Sequence, residues 1–205
     1  MLTLSRKNVM TTDTYHHGDL RNALLEAVGA IIAERGVGAV SLREAARRAG
    51  VSHSAPAHHF GDKLGMLTAF ARRGFEEFGQ RMQAAADAVE AEGAQAQIRA
   101  IGIEYVRFAL EERPAFEVMF RSELHDPTDE AFREASHGAF GVLMNTVDLL
   151  SPAELNGADP VYVAMGSWAT VHGLATLWLD GALAQFSDEH LFDLTLGVFD
   201  AGAHS

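Results

Sequence analysis

SLREAARRAGVSHSAPAHHFGDK, residues 41–63, contains two short helices joined by a glycine turn and then the capped start of a third. Ser41 stands where an N-cap is needed, and Glu44 follows at the spacing of a capping box. Leu42, Ala45, Ala46 and Ala49 make a small apolar face, with Arg43, Arg47 and Arg48 off it. Gly50 supplies the break, because a residue without Cβ reaches the left-handed conformation that ends a helix. A second helix begins near Ser52 and is loaded with short polar groups and histidines. Its cap is open between two serines. Ser52 leaves Pro56 at the fourth helical position, one backbone hydrogen bond short, whereas Ser54 puts it in the first turn, where the missing N–H costs nothing. Either way the pattern is a helix-turn-helix, whose second helix suits the major groove of DNA.

Charge is divided along the chain in a way that supports this reading. The net charge of −12 is wrong for a nucleic-acid binder taken whole. Residues 1–75, however, hold ten Lys/Arg against six Asp/Glu, a surplus of +4, and five of the ten histidines. Residues 76–205 hold six Lys/Arg against twenty-two Asp/Glu, a surplus of −16. This asymmetry predicts a small nucleic-acid module joined to an acidic domain with another task. With 205 residues, 48% of them hydrophobic, the chain can build a substantial core. Cysteine is absent, which excludes disulfides, thiolate metal sites and thiol redox sensing. The N-terminal MLTLSRKNVMTTDTYHHGD has no apolar run of signal-peptide length. Residues Val161–Leu179 are apolar but carry Ser167, Thr170, His172 and Thr176 and lack basic flanks, so a helix buried inside a soluble protein is expected. The protein is read as cytoplasmic.

Helical periodicity runs through the chain, and an all-α fold of about nine helices follows. Leu20, Leu24, Ala27, Val28 and Ile31 share one face of the first helix, which Gly36 closes. Asp62 caps a long helix with the stripe Leu64, Leu67, Phe70, Ala71, Phe75, Phe78 and Met82, continuing through an alanine-rich part near Ala84–Glu92. Gly93, Pro114, the pair Asp159-Pro160, and Ser187 punctuate the helices that follow. Three parts are expected: a flexible N-terminal arm over 1–14, a helix-turn-helix domain over 15–62, and a ligand-binding and dimerisation domain over 63–205. Tyr15-His16-His17-Gly18, with Arg6 and Lys7, reads either as an arm across the DNA backbone or as a frayed terminus.

The acidic half holds the candidate small-molecule site. Trp168 and His172 are four residues apart, so both can face one cavity. Tyr105, Phe108, Phe116, Met119, Phe120, Phe140 and Met144 are the apolar residues that would line it. The same residues are equally what a filled core would use, and His172 could be a core histidine bonded to a neighbour. No catalytic motif occurs: there is no G-x-S-x-G, no H-E-x-x-H and no phosphate-binding glycine loop. An enzyme is therefore not expected, nor a cofactor. A metal site from the pairs His16-His17 and His58-His59 fits no standard ligand spacing.

With these residues in view, the chain resembles the TetR family of bacterial transcriptional repressors. The resemblance is most specific over residues 15–78. It is carried by YHHGDLRNALLEAV and by Val51-Ser52 followed by His59-Phe60 and Lys63. It implies DNA contacts from Ser41, Arg43, Ser52, His53, Ser54, Ala57, His58, His59 and Lys63, with Phe60 in the core of the DNA-binding domain. One position departs: Ala57 stands where the family usually has a phosphate-contacting tyrosine. Trp168, His172 and Gly173 are similar to the Trp-x-x-x-His-Gly motif of one subgroup. The family's dimer helices would correspond to roughly 160–182 and 188–202. The resemblance thus implies a homodimeric repressor on a pseudo-palindromic double-stranded operator, released by a small, largely apolar effector. The alternative is a helical ligand- or protein-binding module whose DNA binding is weakened or lost.

Overall fold

The computed structural model describes residues 13–202, and all its regular elements are helical. The ten α-helices are α1 (Asp13–Arg35), α2 (Leu42–Ala49), α3 (Ala55–Phe60), α4 (Lys63–Asp87), α5 (Ala94–Glu111), α6 (Arg113–Met119), α7 (Glu130–Val147), α8 (Pro152–Leu155), α9 (Pro160–Leu179) and α10 (Asp188–Gly202). Three 3-10 turns interrupt them, at Val37–Ala39, Glu90–Glu92 and Ser122–Leu124. The helix absent from the sequence reading is α8, a single turn too short to show periodicity. It is held by a reciprocal capping box between Ser151 and Glu154.

Contacts divide the chain into two compact units, residues 1–66 and 67–205. In the first, α1 packs on α2 and α3. Leu24, Leu25, Val28 and Ile31 of α1 are fully buried with Ala45, Ala46, Pro56 and Met66. Residues 1–12, most of the expected arm with Arg6 and Lys7, lie outside the described residues. Tyr15-His16-His17-Gly18 belongs to α1, which begins at Asp13, so it does not precede the first helix.

In the second unit, α5 is central and packs against α6, α7, α9 and α10. Its buried face carries Ile98, Ile101, Tyr105, Val106 and Phe108. Asp159 caps α9 by accepting from the Val161 amide at 2.8 Å, and Asp129 caps α7 through the Phe132 amide at 2.8 Å. The alanine-rich stretch does not continue α4 to Glu92. The helix stops at Asp87 and a 3-10 turn leads to Gly93. Leu64, the expected start of the α4 stripe, is 44% exposed. Its burial begins instead at Met66 and Leu67. Among the described residues no helix is long and apolar enough to cross a membrane.

Candidate functional site

The helix-turn-helix is built as its sequence dictates. The Ser41 hydroxyl accepts from the Glu44 amide at 3.2 Å, which caps α2. The reciprocal half of the expected box is missing, because the Glu44 carboxylate is committed elsewhere. It accepts from Arg47 at 2.8 and 2.9 Å and from Arg35 at 2.5 Å. These bonds, Arg47's first, pull the Glu44 carboxyl down to about 2. Arg48 is likewise bound to Glu34, through a bond of 2.6 Å and a second, shorter one. Three of the arginines in this basic segment thus tie α1 to α2 or close on their own helix. Gly50 takes φ 69° and ends α2 in the left-handed conformation.

Of the two possible caps for α3, the chain uses Ser54. Pro56 then falls in the first turn, where its lost N–H has no helical partner to miss, and its ring is fully buried. Proline is therefore an inward core residue of this helix and does not distort it. Ser54 makes no side-chain cap; its hydroxyl and that of Ser52 bond each other at 3.3 Å. Ser41, Arg43, Ser52, His53, Ser54, Ala57 and His58 are all exposed, and His59 is half-buried beside His58 and Phe60. Lys63 is exposed and reaches the Val37 carbonyl at 3.4 Å. Phe60 is half-buried beneath the Arg21 guanidinium, which lies 5.4 Å from the ring centre. The expected contact residues thus lie along α2, the turn, α3 and the first residue of α4, all exposed except the half-buried His59.

The acidic unit contains a cavity of about 310 Å³. Of the expected lining residues, Tyr105, Phe120, Phe140 and Trp168 border it. Phe108, Phe116, Met119, Met144 and His172 do not. Phe108 is fully buried against Phe78. Met119 fills the space over Gly74, its sulfur 2.6 Å from where a Cβ would lie. Met144 is half-buried away from the cavity, and Phe116 and His172 border a second one of about 230 Å³ with Arg113, Glu117, Arg121, Thr176 and Asp180. The sequence reading missed Phe75, Phe78 and Met82 of α4, Ile101 and Gly102 of α5, and Ser136, His137, Ala139 and Leu143 of α7. It also missed Met165, Ser167 and Val171 of α9. Apolar spacing assigns Phe75, Phe78 and Met82 to the core stripe of α4, and they share that face with the cavity wall.

A hydrogen-bonded chain links the two cavities. Trp168 Nε1 donates to the Tyr105 oxygen at 3.3 Å, and that phenol lies 2.7 Å from His172 Nδ1. Indole can only donate, so the phenol's own proton goes to Nδ1, and His172 keeps its proton on Nε2. Burial pushes the His172 imidazole below its ordinary range, consistent with a neutral ring, and pushes the Tyr105 phenol up. His172 is therefore both a bonded partner of the core and a wall of the polar cavity. Among the described residues, no cluster of His, Asp or Glu could hold a metal ion.

Two family descriptions match the chain. Residues 24–70 match "Bacterial regulatory proteins, tetR family", and residues 98–199 match "Tetracyclin repressor-like, C-terminal domain". A solved protein of unknown function from Rhodococcus sp. RHA1 is 31% identical, with a TM-score of 0.79 over 94% of this chain and 97% of that one. A TetR family transcription regulator from Marinobacter aquaeolei VT8 is 20% identical with a TM-score of 0.70, over 92% and 97% of the two chains. A TetR-family regulator from Streptomyces coelicolor is 19% identical with a TM-score of 0.66, over 90% and 95%. No curated protein matches the chain in sequence.

Proposed function

The chain belongs to the TetR family of bacterial transcription regulators, and on that premise we propose that it is a homodimeric repressor released from its operator by a small, largely apolar effector. The observation that carries the DNA-binding part is the inward burial of Pro56, which leaves α3 an undistorted helix with Ser54, Ala57 and His58 turned to solvent. On this reading, two copies set α3 into successive major grooves roughly 34–36 Å apart. Ser52, His53, Ser54 and His58 meet bases or phosphates, and Ser41, Arg43, His59 and Lys63 hold the backbone. Ala57 supplies no phosphate contact, so that role passes to its neighbours.

The effector enters the 310 Å³ cavity, a volume at the lower end of small-molecule sites. The proposal extends to the subgroup with the Trp-x-x-x-His-Gly motif, since Trp168 and His172 are joined through Tyr105 at the cavity wall. Dimerisation uses α9 and α10. Val161, Tyr162, Met165, Leu177 and Leu196 leave apolar surface exposed there, with Tyr162 at 76%. A partner would cover it.

Salt-dependent binding to DNA from the gene's own promoter region tests the first part. The slope of log affinity against log salt should be about −0.9 per neutralised phosphate. Arg43→Ala and Lys63→Ala should each reduce that slope by about one contact. A flat salt response would instead favour a helical binding module without DNA affinity, the reading that the exposed Ala57 keeps in play.

A further inference from the structure

The two cavities of the acidic unit differ in chemistry and share a wall. Phe120 borders both, and the hydrogen bond from Tyr105 to His172 runs from the apolar one to the polar one. Phe120 also sits at the C-terminal cap of α6, where the chain leaves the helix. Its ring packs 4.8 Å from that of His172.

We propose that the two cavities form one site for an acyl amphiphile, with the apolar body beside Trp168 and a hydrogen-bond-accepting carbonyl head among Arg113, Arg121, His172 and Thr176. This deepens, and rests on, the reading of the larger cavity as the effector site. A 150 Å³ cavity holds the six carbons of benzene, so 310 Å³ takes a body of roughly a dozen non-hydrogen atoms. A polar head cannot stay there without loss. The polar atoms of Trp168 and Tyr105 are spent on each other and on His172, and the Ser136 hydroxyl on the Arg133 carbonyl at 3.0 Å, which leaves only Ser167 and His137 of this mostly apolar wall to replace the head's bonds to water.

The neighbouring cavity offers what the head lacks. Each guanidinium carries five N–H donors. Arg113 is bonded to the Leu179 carbonyl at 3.2 Å, and Arg121 pairs with Glu117 at 3.0 Å. His172, its Nδ1 occupied by Tyr105, presents its remaining N–H, and Thr176 adds a hydroxyl. Against these donors stand only the carboxylates of Glu117 and Asp180. The surplus of donors selects an acceptor head. In the Arg121–Glu117 pair the guanidinium is exposed and the carboxylate half-buried, so the pair is weak enough to exchange for a ligand oxygen. A ligand spanning both cavities turns the Phe120 ring aside.

The test uses the full chain and four probes: decanoate, decanamide, decylammonium and the wholly apolar n-butylbenzene. With Trp178→Phe leaving Trp168 as the sole tryptophan, binding is read by fluorescence, and by thermal shift on the unsubstituted protein. Decanoate and decanamide should both bind at least about tenfold tighter than decylammonium. Arg113→Gln with Arg121→Gln should erase that preference and leave n-butylbenzene unaffected. If n-butylbenzene binds but the three decyl heads bind alike, the head assignment is overturned and the effector cavity stands. A gain confined to decanoate also overturns it, since the site would then read charge and not a carbonyl. If no probe binds, n-butylbenzene included, the effector-cavity reading fails together with the proposal built on it.

Discussion

Gly65 shows how a single missing atom can fix a joint. A Cβ there would lie 2.1 Å from the Phe60 carbonyl oxygen, a backbone atom with no room to yield. The close approach lets the Asp62 carboxylate accept from the Gly65 amide at 2.9 Å and cap α4 directly behind α3. Gly65→Ala should therefore destabilise the helix-turn-helix by about 1–3 kcal/mol, although alanine is the better helix former. Urea unfolding of the two proteins checks this. Ser41 gives a complementary case, because it caps α2 and is also a proposed DNA contact. Ser41→Ala should cost about 1 kcal/mol of stability while Ser41→Gly costs only a few tenths. Both should weaken operator binding alike. An unchanged stability in Ser41→Ala would show that the Ser41–Glu44 bond is not what holds the helix start.

Among the elements, α9 carries the clearest division of labour. Ala164, Val171 and Ala175 are buried within the chain, while Tyr162, Gly166, Ala169 and Leu177 face outward and the exposed Met165 also borders the cavity. A Cβ added at Gly166 would meet nothing within 4 Å. Gly166→Leu should leave the protomer folded, or stabilise it slightly through helix propensity, yet block close approach of a second α9. Sedimentation should then report a monomer. A variant that remains dimeric would remove α9 from the proposed interface. The join between α4 and α5 is polar and specific. The buried Glu104 accepts from Arg81 at 2.5 Å and from Arg107 at 2.6 Å, and Arg81 also bonds Glu111 at 2.7 Å. The same Arg81 lies over the Phe108 ring at 5.4 Å. Removing Arg81 would leave Glu104 still paired with Arg107, so this network degrades stepwise.

At the scale of the whole chain, what could be read in advance was punctuation and periodicity. Ser41, Gly50, Asp62 and Asp159 announce helix ends because capping is local chemistry, decided within a few residues. The cavity was only partly legible. Apolar spacing identifies a buried face, but whether opposing faces meet or leave a gap depends on side chains from four helices at once. Phe75, Phe78 and Met82 thus looked like packing, while Phe108 and Met119 looked like lining and turned out to be packing. His172 could not be assigned until Tyr105, sixty-seven residues away, was seen to bond it. This buried polar chemistry has a pH signature. Burial holds the imidazoles of His125 and His172 below the ordinary 6.5, so the unfolded chain takes up protons first. Stability from these groups is complete above about pH 6.5 and is lost as pH falls below it. Glu34, Glu44 and Glu154 are held low by their bonds and surrender theirs only below 4.5. Urea midpoints at about pH 7.5 and 5.5 should fall with acid. His172→Gln and His125→Gln should each flatten the dependence, and an unchanged slope in both would assign it elsewhere.

The internal ion pairs of the helix-turn-helix carry a consequence for life among millions of irrelevant base pairs. Arg35, Arg47 and Arg48 spend their charge on Glu34 and Glu44. On the proposed function, each of these cations would have to leave its glutamate before meeting a phosphate, so counterion release from random sequence would fall below what the charge of the segment suggests. A regulator built this way would be held less by random sequence, and fewer copies would then be needed to occupy an operator.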